Sequence, residues 1–553
     1  MKFKRAGALI LSTVVLAGTF AGCGPNSSPN TASGTTSSPS QTAKLPDYMN
    51  PVGKYPITKE KITVNALVPL NSTEAKDWNT LLAFQRLEKM TNIHWNFEYV
   101  DSDKWIDQVN IRMASDELPE VITGGTDLTS TFEETYGPTG KILDLTNLIP
   151  TYMPHFAKRR SEIKDIKYAN TSLNGKIYGL PNYTISSGNV PSLSFFDQKT
   201  MEKAGITSIP KTTDELYTML KAFQKIDIDG NGKVDDIPMS CKGTDTLRQI
   251  IQPAFQGFTG GYISDEWDVN DSGKVVWLPL EKGYKEYLEF MHKLYSEKLL
   301  DNEFQTMKSD QFSAKVKSGV VGFFAGFSPT GLAGTKMEKD PLVELAPLTS
   351  PTNSKQVAQQ PNWMATTAAV LTKSCKHPEA VLSWSDLFYR KENESQENFN
   401  GKTSLLGYEN EHWKYIDSAK TKYQFIDPIK SYVELNKQVM ITFGWPAYVD
   451  NSAMQAGGLM ETKISQNKKN YEPHYREAYP LKYVRFTTEE NDTVTTTQTD
   501  LDNYLNMMEG KFINGQESLN NFDQFVAKCK QLKVEDLTKT MQAAYDRYTK
   551  GGK

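Results

Sequence analysis

The chain has 553 residues, of which 38% are hydrophobic and 23% are charged, and its formal net charge is −4 at pH 7. This composition is typical of a folded globular protein, and the length is too great for a single hydrophobic core. The mild excess of acidic residues excludes a typical nucleic-acid-binding protein, because such proteins present a basic surface to the phosphates.

The N-terminus has the pattern of a secretion signal. A basic region at residues 2–5 precedes a short apolar core at residues 8–16, and small residues then lead to Cys23. The apolar core is too short to span a bilayer. An ending of small residues and a cysteine resembles a bacterial lipobox, in which the cysteine is acylated and becomes the first mature residue. We therefore expect cleavage after residues 1–22 and lipidation of Cys23.

The segment after the cysteine predicts a tether. Residues 24–44 are nearly all Gly, Ser, Thr, Pro, Asn and Ala, and such a stretch buries too little apolar surface to fold. About twenty flexible residues reach roughly 25 Å. An acylated cysteine followed by this tether predicts a folded body held at the extracytoplasmic face of a cell membrane.

The first elements of the body predict an α/β fold. Ile62–Leu70 and Ile93–Val100 alternate like strands, and residues 118–124 resemble a third strand. Helical apolar spacing occupies residues 77–90 and 105–113 between them. This order implies a parallel sheet with helices on both faces, whose ligands bind beyond the carboxyl ends of the strands.

An acidic loop at Asp227–Pro238 predicts a calcium site. A helix leads into it, with Thr212 and Glu215 as a capping box. Oxygen-bearing side chains recur at alternate positions, as a hard cation requires. The predicted ligands are Asp227, Asp229, Asn231, the carbonyl of Lys233, Asp235 and Asp236. Pro238 stands where an EF-hand has its bidentate Glu, so the site is expected to be structural; the alternative is a solvated acidic turn.

Further elements follow the loop. The sequence predicts a hairpin at residues 267–277, a helix from Tyr284 to Tyr295, a buried strand within 317–327, a helix beginning at Pro378, and C-terminal helices near 522–532 and 534–548. The mature cysteines Cys241, Cys375 and Cys529 are odd in number and widely spaced, which indicates neither a disulfide framework nor a zinc site.

Sequence signatures of catalysis are absent. The histidines are scattered, without His-Glu-x-x-His, and neither a Gly-x-Ser-x-Gly elbow nor a phosphate-binding loop occurs. We therefore predict that the protein is not an enzyme. A secreted polysaccharide-active enzyme with paired carboxylates and a peptide-binding surface lipoprotein remain alternatives.

Several segments, in order, are similar to one family. They are Leu118–Ile122, Asn174–Pro181, Met201–Ile206, Pro210–Leu216, Asp227–Pro238, His377–Val381, Phe486–Glu490, Lys511–Gly515 and Ala544–Tyr548. The chain thereby resembles the large bacterial extracellular solute-binding lipoproteins (family 1) of ABC importers for oligosaccharides, which include the alginate-oligosaccharide binders and the LipO-type lipoproteins.

The resemblance implies a two-lobed, periplasmic-binding-protein-like fold of type II with a hinged cleft between the lobes. The expected divisions are a signal peptide at 1–22, the lipidated cysteine and tether at 23–44, the first part of lobe 1 at 45–185, lobe 2 with the calcium loop at 186–374, and a return to lobe 1 with the C-terminal helices at 375–553. The implied partners are an oligosaccharide and the ABC permease subunits. We expect a monomer that meets the membrane only through its lipid, on a Gram-positive cell.

Sugars bind to aromatic platforms flanked by hydrogen-bonding side chains. Trp445 is the first candidate platform, because Gly444 and Pro446 indicate a loop rather than a core helix. The other candidates lie near the expected lobe crossovers or beside a glycine-bounded strand: Trp363, Tyr183 and Phe327.

Overall fold

The computed structural model describes residues 45–71, 74–186, 194–259, 266–325, 342–360, 364–441, 445–481 and 483–551. These residues belong to one compact unit, Leu45–Lys553. The predictions for Cys23, Trp363 and Phe327 lie outside the described residues. None of the described helices has both the length and the apolar character that crossing a bilayer requires.

Strands form mainly where the sequence alternates or carries short apolar runs. They are β1 (Ile62–Leu70), β2 (Ile93–Asp101), β3 (Val121–Leu128), β4 (Gly179–Ser186), β5 (Ser194–Asp197), β6 (Ile237–Ser240), β7 (Trp267–Val269), β8 (Val275–Trp277), β9 (Val321–Ala325), β10 (Leu342–Glu344), β11 (Ala358–Gln359), β12 (Met364–Leu371), β13 (Trp413–Tyr415), β14 (Lys422–Phe425), β15 (Ala447–Asn451), β16 (Met454–Gln455) and β17 (Tyr475–Arg476).

Helices occupy most of the segments between strands. They are α1 (Leu82–Thr91), α2 (Trp105–Ser115), α3 (Ser130–Tyr136), α4 (Ile149–Tyr152), α5 (Pro154–Glu162), α6 (Lys164–Ala169), α7 (Gln198–Lys203), α8 (Thr213–Phe223), α9 (Gly243–Ile250), α10 (Gln252–Gln256), α11 (Tyr284–Ser296), α12 (Ser309–Ser318), α13 (Pro378–Ser385), α14 (Thr403–Leu406), α15 (Tyr432–Gln438), α16 (Gly458–Asn470), α17 (Thr488–Asn514), α18 (Phe522–Gln531) and α19 (Val534–Gly551).

The first lobe is built on a six-stranded sheet with the order β15-β4-β12-β3-β1-β2. Every neighbouring pair is parallel except the two that β12 makes with β3 and β4. The predicted parallel sheet is therefore confirmed, with one antiparallel strand added late in the chain. The carboxyl ends of β4 and β15 meet at Ser186 and Asn451, at the same edge of the sheet.

Helices cover both faces of this sheet because side chains along a strand alternate between faces. Ala66 and Val68 of β1 belong to one hydrophobic cluster, which we call the first core. Leu67 between them packs instead with Trp105 and Val109 of α2. A strand buried on both faces in this way is typical of a parallel α/β sheet.

The second lobe is built on a four-stranded sheet with the order β10-β5-β9-β6. Its main cluster, the second core, combines Leu216 of α8 and Leu288 of α11 with Leu501, Phe525 and Leu537 of the three C-terminal helices. The segment from α13 to Ala453 contributes to the first core, so the chain changes lobes again before α17. The predicted lobe limits at residues 185/186 and 374/375 stay a prediction.

Side-chain caps begin two of the helices of the second lobe. The predicted capping box of Thr212 and Glu215 begins α8. A second box, Thr487 with Glu490, begins the long helix α17, which the sequence analysis did not predict. The α17 helix packs against α11 and carries the C-terminal segment across the second core.

A buried ion-pair cluster joins the first lobe to the segment that precedes α17. The guanidinium of Arg485 donates to Glu133 at 2.8 Å, to Glu134 at 2.9 Å and to the carbonyl of Ala169 at 2.6 Å. Glu133 is fully buried and the Arg485 side chain is 5% exposed. This cluster fixes the C-terminal segment to α3 and α6.

Candidate functional site

The acidic loop connects α8 to β6 in the second lobe. One carboxylate oxygen from each of Asp227, Asp229 and Asp236 lies within 4.8 Å of the other two. Gly230 and Gly232 adopt φ values of 80° and 86°, which L-residues with a side chain rarely adopt, and so turn the loop tightly. The loop therefore concentrates oxygen ligands at one point, as the sequence predicted.

Backbone amides hold the first carboxylate in place. Those of Gly230, Asn231 and Gly232 donate to Asp227 at 2.7, 3.1 and 2.9 Å, and they hold the pKa of this carboxyl below its ordinary value. In contrast, burial and the neighbouring carboxylates of Asp229 and Asp227 raise the pKa of Asp236. A bound cation would relieve this repulsion between like charges.

One oxygen of Asp236 supports the fit of a hard cation to the loop. Its Oδ1 atom is buried and has no hydrogen-bond partner among the described residues. Asp235 is exposed and lies outside the group of three. The side-chain oxygen of Asn231 accepts from the amide of Lys233 at 2.9 Å. The roles of Asn231, Asp235 and the Lys233 carbonyl as ligands stay predictions.

Trp445 lies in the first core and not on the surface loop that the sequence predicted, and its role as a ligand platform stays a prediction. Its exposed fraction is 2%. Six aromatic rings surround it, with centroids between 5.4 and 6.3 Å away: Trp78, Phe84, Trp95, Phe97, Trp384 and Phe388. The indole therefore points into the core just before β15 begins at Ala447, rather than into a surface loop.

Tyr183 lies on β4 beside the edge strand, and its predicted contact with a ligand stays a prediction. It pairs in register with Tyr448 of β15, and the two rings are parallel with centroids 6.1 Å apart. Tyr183 is 4% exposed, and burial raises the pKa of its phenol. The ring therefore supports the neighbouring Tyr448 from within the sheet.

A pocket of about 350 Å³ opens beside the carboxyl end of β15. We call it the edge pocket, and its walls come from the segment after α13, from β13 and from β15. The side chains that define it are Lys391, Glu392, Lys402, Tyr415, Lys420 and Tyr448. Its volume lies within the range of small-molecule sites, and it combines aromatic rings with hydrogen-bonding groups.

A hydrogen-bond network shapes one wall of the edge pocket. The Lys402 ammonium donates to Glu392 and to the Tyr415 hydroxyl, and this hydroxyl donates to Glu392 Oε1 at 2.6 Å. Burial acts to raise the pKa of Glu392, but these hydrogen bonds and the positive charge of Lys402 outweigh it and lower the pKa. Glu392 is therefore an ionised carboxylate that its hydrogen bonds hold in position.

Cations flank the Tyr448 ring. The guanidinium of Arg159 lies 5.5 Å from the ring centroid, and the ammonium of Lys391 lies 5.7 Å from it. Such contacts fix the orientation of an aromatic platform. Tyr448 is 4% exposed, so a ligand would meet the edge of the ring that borders the pocket.

The sequence analysis missed the edge pocket, although β15 carries a signal for it. Tyr448, Asp450 and Ser452 alternate with Ala447 and Val449, and only the first set lines the pocket. Ala447 and Val449 join the first core, and Tyr448 contacts both that core and the pocket. A period-two pattern would have separated these two sets of residues. The contributions of β13 and of the segment after α13 come from long-range packing, which local patterns do not encode.

Comparison with known proteins identifies the class. Residues 72–395 match the family model described as bacterial extracellular solute-binding protein. This match covers more than half of the chain, and the chain belongs to that family. The two-lobed α/β fold described above is the fold of its solved members.

Among curated relatives, the fructooligosaccharide ABC transporter substrate-binding protein FusA of Streptococcus pneumoniae is 25% identical over 99% of both chains. Lipoprotein LipO of Bacillus subtilis is 27% identical over 47% of this chain and 49% of its own length. The polygalacturonan/rhamnogalacturonan-binding protein YtcQ of Bacillus subtilis is 25% identical over 44% of this chain and 46% of its own length.

Solved structures agree in fold. FusA in complex with kestose has a TM-score of 0.74 at 22% identity, and the match covers 89% of this chain and all of that chain. The alginate-binding protein AlgQ2 without calcium ion has a TM-score of 0.66 at 18% identity, over 88% of this chain and 99% of that chain.

Proposed function

We propose that this protein is a lipid-anchored, extracytoplasmic solute-binding protein that captures oligosaccharides for an ABC importer. The similarity to FusA over 99% of both chains carries the proposal, because it spans both lobes and not one shared module. The edge pocket supports it, since polar side chains and tyrosines converge beside the carboxyl end of β15.

Capture follows from the two-lobed architecture. A sugar held at the first lobe gains further contacts only when the second lobe closes on it, so binding stabilises the closed state. We propose that this closed form docks on the permease subunits and that the protein acts as a monomer. ATP hydrolysis then belongs to other subunits of the importer.

The anchor and the metal complete the proposal. Acylated Cys23 and the tether would hold the body at the extracytoplasmic face of a Gram-positive cell membrane. Calcium would bind Asp227, Asp229 and Asp236 and cross-link the loop between α8 and β6, which adds stability and no chemistry. The FusA relative that is described as an EF-hand mutant supports a cation at this loop.

The relatives differ in the sugars that their names give. One is named for neutral fructooligosaccharides and another for polygalacturonan, which is acidic. Calorimetry of the mature protein against kestose and trigalacturonate tests the proposal. We expect binding of at least one of them with a micromolar Kd, which corresponds to about −8 kcal/mol.

A hydrolytic function predicts a different result. The relatives are named as binding proteins, which supports a role without catalysis. The same mixtures should therefore be assayed for new reducing ends after prolonged incubation. Binding without cleavage supports the proposal, whereas catalytic release of reducing ends, or binding of peptides in place of both sugars, would contradict it.

A further inference from the structure

The edge pocket is rich in positive charge, although the whole chain has a net charge of −4. Its walls contain the four cations Arg390, Lys391, Lys402 and Lys420 against the carboxylates of Glu392 and Asp450. Glu162, outside the pocket, lies 3.6 Å from the ammonium of Lys391, so four cations face three carboxylates. From this imbalance we infer that the edge pocket binds a sugar unit bearing a carboxylate, as in a uronic acid. The inference rests on the proposed function and selects the acidic class of oligosaccharide.

Neighbouring side chains hold Lys402 in the wall of the pocket. The residue is 8% exposed, and its ammonium lies between the Glu392 carboxylate and the Tyr415 hydroxyl. The ammonium also lies 5.6 Å from the centroid of the Trp413 ring and 5.3 Å from that of the Tyr415 ring. This packing fixes a positive charge in the wall before any ligand arrives.

Glu392 accepts hydrogen bonds from two lysines, so it does not neutralise both of their positive charges. Its Oε1 atom accepts from Lys402 and Tyr415, while its Oε2 atom lies 3.4 Å from the ammonium of Lys420. One carboxylate cannot neutralise two ammonium groups. Lys420 is 56% exposed at its side chain, so its charge is accessible to a ligand.

Arg390 adds a further uncompensated charge behind the pocket. The residue is 5% exposed, and its Nη2 atom donates to the Tyr55 hydroxyl at 2.7 Å. Among the described residues, no carboxylate forms an ion pair with it. By contrast, Arg159, which lies near the Tyr448 ring but does not line the pocket, is paired with Glu394 at 3.1 Å.

The remaining groups suit the rest of a sugar unit. The Tyr415 and Tyr448 rings offer apolar edges, and Asn393, Asn400 and Ser452 offer hydrogen bonds to hydroxyl groups. A neutral sugar could use these same groups. The excess of cations favours an acidic sugar over a neutral one, because a hydrogen bond between two charged groups is stronger than one between neutral groups.

A matched pair of ligands tests the inference. Trigalacturonate and its fully methyl-esterified form have the same length and ring stereochemistry but differ in charge. Calorimetry of the full mature chain with calcium should give a Kd at least about ten-fold lower for the acid than for the ester. The preference should shrink as salt concentration rises, because salt screens the attraction.

Variants locate the preference in the edge pocket. Lys391→Gln combined with Lys420→Gln removes two partly exposed cations, whose side chains are 40% and 56% exposed. We expect the double variant to lose about ten-fold in affinity for the acid and less for the ester, so that the ratio of the two Kd values falls toward one. Lys414→Gln is the matched control, because Lys414 is exposed on β13 but does not line the pocket.

The possible outcomes separate the inference from the proposed function. Equal or tighter binding of the ester or of kestose would overturn the inference and leave the proposed function standing. An acid preference that the double variant retains would also overturn it, since the carboxylate would then bind elsewhere. Failure of acid, ester and kestose alike to bind would count against the proposed function itself.

Discussion

Trp445 and Tyr448 lie on one short segment and both belong to the first core, but their surroundings differ. Trp445 lies among six aromatic rings, whereas one side of Tyr448 borders a pocket lined by charged side chains. Both are large aromatic residues near a glycine and a proline. The direction of each side chain, and not its aromatic character, therefore decides which of the two can also meet a ligand.

Replacing Trp445 by Ala should give the largest effect. It would leave a cavity in the first core and lower the free energy of unfolding by about 4 kcal/mol. Urea denaturation measures this change, and Trp445→Phe should recover a large part of it. Weakened sugar binding in a variant of unchanged stability would instead return Trp445 to the ligand site.

The same contrast between buried and lining residues extends to charged side chains. Arg485→Ala should lower the free energy of unfolding by about 3 kcal/mol, because it leaves the fully buried Glu133 without its cation. Arg112→Ala removes a more exposed ion pair with Glu98 and should cost less than about 1 kcal/mol. Similar losses in the two variants, measured by urea denaturation, would show that the Arg485 cluster does not hold the fold.

Calcium removal tests whether the ion at the acidic loop contributes to stability but not to sugar binding. At a calcium concentration 100 times the Kd, the metal should contribute about 2.7 kcal/mol, so EDTA should lower the Tm and leave the sugar affinity of the folded fraction intact. Asp236→Asn should abolish the calcium-dependent rise in Tm. Asp235→Asn should preserve it if the group of three holds the ion. A melting curve that EDTA leaves unchanged would argue against the metal site.

A buried carboxyl in the second core should make stability depend on pH. Burial raises the pKa of Glu509 to about 7, against the opposing effect of Arg248 and with a further upward contribution from Glu266. Between pH 4.5 and 7 the folded protein therefore holds a proton that the unfolded chain has released, and the free energy of unfolding falls as pH rises through this window.

The expected slope from Glu509 is at most about 1.4 kcal/mol per pH unit. Urea denaturation at several pH values measures it, and Glu509→Gln should flatten the profile between pH 5 and 7. The edge pocket contrasts with this site, since the pKa of Glu392 is lowered and its carboxylate stays ionised in the same window. A slope of the opposite sign would contradict the assignment to Glu509.

The sequence predicted those parts of the molecule that local patterns encode. The β1 strand has the predicted limits, Ile62–Leu70, because alternating residues of a strand face different layers. The box of Thr212 and Glu215 begins α8 as expected. The acidic loop likewise places Asp227, Asp229 and Asp236 together, since the turns at its glycines are local.

The features that the sequence analysis did not predict depend on long-range packing. Helix α17 was missed because its residues 493–499, Thr-Val-Thr-Thr-Thr-Gln-Thr, have weak helix propensity, and burial of Leu501 and Leu505 in the second core overrides it. The buried position of Trp445 was not predicted, because no local pattern reveals that β15 joins the sheet beside β4. The edge pocket was missed although β15 alternates, because its walls from β13 and from the segment after α13 come together only through long-range packing.

The proposed capture of oligosaccharides requires the edge pocket to take part in binding. Tyr448→Ala tests it most directly, by calorimetry with the sugar that the unaltered protein binds most tightly. The account predicts affinity lower by about 1–2 kcal/mol, roughly ten-fold, because the variant loses an aromatic contact at the pocket. Unchanged affinity in a folded Tyr448→Ala protein would contradict the claim.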